Sequence, residues 1–144
     1  MPDYNFLRDP EHDLYQVSEA DILTAEQRMN ISFPRDLTQL YLEVGYGFIK
    51  DQSDNGINRI LDPETVADIR LREDVFEFEP NLDDLSDEDK LIFFEVNEGI
   101  YISLDLKLEN NPVYYFDFQI ASSLEDFFRK FINDNEYFLD LLED

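Results

Sequence analysis

Between Lys90 and Phe118 three aromatic-rich apolar runs are separated by two turn signals, and few folds are open to a chain with that stretch at its centre. The runs are Leu91 to Val96, Ile100 to Leu106 and Val113 to Phe118, each rich in the β-branched and aromatic types that suit a pleated surface. The link Asn97-Glu98-Gly99 ends in a glycine free to take positive φ, and Glu109-Asn110-Asn111-Pro112 is built of turn formers. Links this short favour antiparallel pairing, which predicts a meander over residues 90–118. In the middle run Ile100, Ile102, Leu104 and Leu106 share one face while Tyr101, Ser103 and Asp105 share the other. The alternation predicts one core face and one partly wet face.

Helical patterns flank the meander. Ser18 has the position of an N-cap with Asp21 three residues on, and Ile22, Ala25 and Met29 then recur at helical spacing. Pro34 is expected at the first position of a second helix, whose apolar stripe is Leu37, Leu40, Tyr41 and Val44 and whose stop is Gly45. Phe48-Ile49 and Ile57 to Leu61 are expected to form a short hairpin over 48–61. Asp62-Pro63-Glu64 is a helix start, with Val66 and Ile69 as the core face behind it. After the meander, Ser122 with Glu125 makes a capping box ahead of Leu124, Phe127, Phe128, Phe131 and Ile132. Residues 1–17 are polar with scattered aromatics (Tyr4, Phe6, Tyr15), the pattern of an N-terminal arm laid over a single domain of residues 1–144. The fold class is therefore α+β, an antiparallel sheet covered by helices with the C-terminal helix packed on it.

Charge is the anomaly of the composition. Thirty-five Asp and Glu stand against eleven Lys and Arg, a formal net charge of -24, while 43% hydrophobic and 15% aromatic residues argue for a real core. A surface of that sign repels nucleic acid and anionic lipid. No apolar run approaches the roughly 20 residues of a membrane span, and Met1-Pro2-Asp3-Tyr4 lacks the basic and apolar regions of a signal peptide. The expected location is the cytoplasm. Without cysteine there is no disulfide framework, thiol nucleophile or thiolate metal site.

Candidate chemistry is sparse. His12, the only histidine, stands in the polar arm with no visible partner to orient it for catalysis. Asp51-Gln52-Ser53-Asp54-Asn55-Gly56 resembles the start of a calcium loop ending at Asp62. Asn58 stands where that loop wants an apolar residue, and Asp62 serves better as a helix cap, so no metal is expected. From Glu73 to Asp89 nine of seventeen residues are acidic with no Lys or Arg among them. Carboxylate pairs there would need a dry, shaped cleft to do acid–base work, and the polar stretch offers none, so a solvated face is expected. There is no phosphate loop, His-based triad or dinucleotide fingerprint. No cofactor and no enzymatic role are expected.

The order of the pieces carries a resemblance. Ile22, Glu26, Phe33-Pro34, Asp36-Leu37, Leu40-Tyr41 and Gly45-Tyr46-Gly47-Phe48, followed by the meander and the capped final helix, look like the SUKH superfamily from about Ser18 to Ile132. That superfamily also contains the fungal cell-wall-synthesis regulators. Where many members have a consecutive glycine pair after the second helix, this chain has Tyr46 between Gly45 and Gly47. The resemblance implies a cytoplasmic immunity protein that binds and neutralises a toxin, and the acidic composition suits a basic, nuclease-like partner. The alternative is a regulatory interaction module without a toxin partner. The expected binding residues are Tyr46, Asp51, Asp54, Asp83, Asp84, Asp87, Glu88 and Asp89, an aromatic anchor rimmed by charge. The chain is expected to be a monomer or weak dimer, binding neither nucleic acid nor membrane.

Overall fold

Ser18 opens the first helix as its side chain predicts: its Oγ accepts from the Asp21 N–H at 3.1 Å while the Asp21 carboxylate accepts from the Ser18 N–H at 3.3 Å. This helix, α1, spans Glu19–Met29 and buries Ile22, Ala25 and Met29. The computed structural model that shows it describes residues 3–8, 12–50, 58–73, 89–96, 100–116, 118–134 and 137–138. α2 spans Arg35–Glu43 and buries Leu37, Leu40 and Tyr41. Pro34 is its N-cap rather than its first residue, and the Pro34 carbonyl accepts from the Thr38 N–H at 3.0 Å. α3, Pro63–Leu71, starts under the Asp62 cap with Pro63 at its head, and Val66 and Ile69 are buried.

The last helix, α4, spans Leu124–Asn133, and its cap is Ser123, one residue later than expected. The Ser123 Oγ accepts from the Asp126 N–H, and the Asp126 carboxylate takes the N–H and hydroxyl of Ser122. Two serines followed by two acids offer overlapping boxes, and the one that turns Phe127, Phe128 and Phe131 inward together is used.

The described strands form one antiparallel sheet of seven in sequence order, β1 to β7. They are β1 Asp13–Tyr15, β2 Tyr46–Ile49, β3 Asn58–Ile60, β4 Lys90–Val96, β5 Ile100–Asp105, β6 Val113–Tyr115 and β7 Phe118–Ala121. The predicted meander is present with its third run divided. β6 ends at Tyr115, Phe116 takes a left-handed φ of 53°, and the chain returns as β7, a strand that the pattern of apolar residues did not announce. The short hairpin is likewise present as β2 and β3.

Three departures from the expected fold matter for the surface. β1 is an edge strand paired with β2, so the arm is stitched to the sheet. Its lone histidine has a partner, since the His12 Nδ1 accepts from the Lys50 N–H at 2.9 Å. Tyr4, just before the short turn Asn5–Leu7, and Leu7 at its end are fully buried, and Arg129 stacks on the Phe6 ring at 4.4 Å. Second, β5 is buried on both faces, with Tyr101, Ser103 and Asp105 only 6%, 4% and 9% exposed. Asp105 tolerates this because its carboxylate accepts from the N–H groups of Lys107 and Leu108 at 2.8 Å each.

Third, Phe93 is an extra residue in β4, because Ile92 pairs with Ser103 and Phe94 already pairs with Ile102. This bulge lets two successive rings reach the same helix. Phe93 meets Phe127 and Phe128 at 5.8 and 6.2 Å, and Phe94 meets Phe127, Phe128 and Phe131 at 5.4, 5.6 and 5.1 Å, all edge to face. Such pairs add about 0.5–1.5 kcal/mol each to the burial of the rings. This cluster joins α4 to the centre of the sheet.

Candidate partner-binding surface

Two glycines shape the surface around Tyr46. Gly45 (φ +107°) and Gly47 (φ +131°) lie against β1 so closely that a Cβ on either would meet the backbone of Tyr15 or Asp13. Only glycine fits such an approach at such angles. The residue between them therefore sits opposite Tyr15, and its ring lies 5.5 Å from the Tyr15 ring. Phe48, two residues on, shares that face of the sheet. Across the strands it is in register with Asp13 on one side and Arg59 on the other, and Arg59 is paired with Glu95 at 2.7 Å. Tyr15 and Phe48 are 54% and 42% exposed.

Tyr46 also forms one wall of a cleft of about 430 Å³ between α1, the first turn of α3 and β2. Val17, Asp21, Thr24, Ala25, Arg28, Asp62, Pro63 and Glu64 complete it. Its acids are not equivalent. Asp21 and Asp62 are engaged as helix caps, whereas Glu64 is exposed and makes no hydrogen bond or ion pair among the described residues. Arg28 is the cleft's single cation, and it bonds to Asp68 at 2.7 Å and Glu73 at 2.9 Å. Those hydrogen bonds, donated to Asp68 first and then to Glu73, raise the guanidinium pKa further against the small cost of burial. The cleft is therefore negative, with one wall aromatic.

Of the residues expected to bind a partner, Tyr46 and Asp89 are described. Asp89 lies just ahead of β4, two strands from β2, and the two are not brought together. The Asp89 side chain pairs with Lys107 at 2.9 Å, and its carbonyl accepts from the Leu106 N–H. Asp51, Asp54, Asp83, Asp84, Asp87 and Glu88 lie outside the described residues. Sequence reasoning passed over Tyr15, Phe48 and Glu64, which come together with Tyr46 only once β1, β2 and α3 are placed.

Among the described residues no helix is long and apolar enough to cross a membrane, and no group of His, Asp and Glu has the geometry of a metal site. Residues 16–130 match the SMI1/KNR4 family (SUKH-1), and the chain belongs to that family. Over 145 aligned residues it is 48% identical to a protein of Bacillus subtilis (strain 168) named immunity protein YxxD, an alignment that covers 98% of each chain.

Proposed function

We propose that this chain is a cytoplasmic, non-enzymatic immunity protein that binds and neutralises a basic toxin domain of the nuclease class. The observation that carries the reading is the similarity, over nearly the whole length, to a protein named as an immunity protein. The net charge of -24 supports the choice of partner. A nuclease holds phosphate in a basic site, so an acidic protein can cover that site or its approach by substituting for the substrate's charge. The proposed contact residues are Tyr46, Asp51, Asp54, Asp83, Asp84, Asp87, Glu88 and Asp89. Like charges on every copy oppose self-association, so the free protein is a monomer or weak dimer.

Co-expression with a nuclease toxin domain taken from a neighbouring gene tests the proposal. The wild-type chain should restore growth and co-purify with that domain. A chain that does neither is a regulatory interaction module instead.

A further inference from the structure

We infer that the cleft between α1, α3 and β2, together with the Tyr15–Tyr46–Phe48 stripe beside it, is the docking seat for a basic segment of the toxin, with one Lys or Arg side chain inserted in the cleft. The inference rests on the immunity reading above and adds a seat distinct from the acidic run. The volume of about 430 Å³ lies within the range of roughly 300–1,000 Å³ typical of sites that enclose a small ligand. A cationic side chain is smaller than that, so it enters with its hydration or with a neighbouring residue.

Charge and shape both select the occupant. Asp21, Asp62 and Glu64 face a single cation whose guanidinium is already committed to Asp68 and Glu73. An anion entering there would meet three carboxylates, whereas an ammonium or guanidinium would meet the open Glu64. Tyr46 stands on the wall, an aromatic residue of the type that holds such cations. Outside the cleft, Tyr15 and Phe48 present exposed rings on a strand pair fixed by two glycines. Rigid aromatic anchors of this kind lose little conformational freedom on docking and are common at the centres of interfaces.

Isothermal titration with the same toxin domain, purified, tests the seat, with dissociation followed in parallel. Four variants are compared with the wild type: Glu64→Lys, Glu64→Gln, Tyr15→Ala and, as a control of equal charge change, Glu109→Lys on the exposed β5–β6 link. Thermal melts establish that each is folded, and Tyr15→Ala and Glu64→Gln keep the test open if the lysine at the head of α3 lowers stability. Glu64→Lys should weaken binding at least about tenfold through faster dissociation, Tyr15→Ala roughly fivefold or more, and Glu64→Gln should fall between Glu64→Lys and wild type. Glu109→Lys should change affinity less than about threefold, through association alone. Equal losses from the two lysine variants, or wild-type binding by both Glu64→Lys and Tyr15→Ala, would overturn the cleft and leave the immunity reading intact. A folded wild-type chain that does not bind the toxin domain overturns both.

Discussion

Gly47 and Asp13 approach each other more closely than a side chain permits: a Cβ on Gly47 would lie 2.2 Å from the Asp13 carbonyl oxygen, at a φ of +131°. The obstacle is backbone, which cannot swing aside as a side chain can. Gly47→Ala should therefore cost on the order of 1–3 kcal/mol in strain alone and loosen β1 from β2. Urea unfolding measures the loss, and faster amide exchange at Leu14 and Tyr15 would locate it. An unchanged midpoint with unchanged exchange would mean that β1 is not held against β2 in this way.

The starts of α1 and α3 were legible in the sequence because capping is local, whereas α2 and α4 each begin one residue later than expected. Ser18 with Asp21 and Asp62 with Pro63 state their structures within four residues. What could not be read depends on partners far along the chain. The pairing of Asp13 with Phe48, the extra residue at Phe93 and the burial of Tyr101 and Ser103 follow from the assembled sheet, and nothing in their own neighbourhoods signals them. The same division holds for the surface. Tyr46 was singled out only as an aromatic rimmed by charge, and Tyr15 and Glu64 come beside it only after β1 and α3 are placed.

Phe128 lies at the centre of the aromatic cluster, fully buried, with Phe93, Phe94 and Phe127 at 6.2, 5.6 and 5.0 Å. Truncating a buried Phe typically costs about 3–5 kcal/mol, a large part of the roughly 5–15 kcal/mol that holds a domain together. Phe128→Ala should be poorly soluble or unfolded at 37 °C. Leu23→Ala, at an exposed position of α1, should stay within about 0.5 kcal/mol of wild type. Near-equal midpoints for the two variants would show that α4 does not anchor the core.

Two aspartates should carry opposite pH signatures. Burial pushes Asp126 up, but the Ser122 N–H, the Lys130 ammonium 3.0 Å away and the Ser122 hydroxyl outweigh it and leave the pKa lowered. A lowered folded pKa means stabilisation that is present above the ordinary value of 3.8 and lost as pH falls through the folded value. Asp36 is the reverse: burial pushes it up, Glu125 adds to the rise and Arg35 opposes it. Its penalty is absent below 3.8 and complete once pH exceeds the raised value. At pH 7, Asp126→Asn should therefore lower stability and Asp36→Asn should raise it. Both differences should shrink at about pH 3.5, where the unfolded carboxyls are largely protonated. Urea titrations at the two pH values decide the matter, and shifts of the same sign at pH 7 would refute the assignment.

The acidic run from Glu73 to Asp89 makes a kinetic prediction that separates it from the cleft. A field of many carboxylates acts at a distance, over a Debye length of roughly 30 Å at 0.01 M salt and about 10 Å at 0.1 M. It should steer the toxin into encounter and affect the on-rate more than the off-rate. Replacing Asp83, Asp84 and Asp87 together with Asn should slow association severalfold at 10 mM sodium chloride, with the difference largely gone at 300 mM. Dissociation should be nearly unchanged, in contrast to Glu64→Lys, whose effect should persist in salt, as direct contact at the proposed seat requires. Stopped-flow association and dissociation rates at both salt concentrations give the answer. A triple variant that associates as fast as wild type at low salt would remove the acidic run from the binding mechanism.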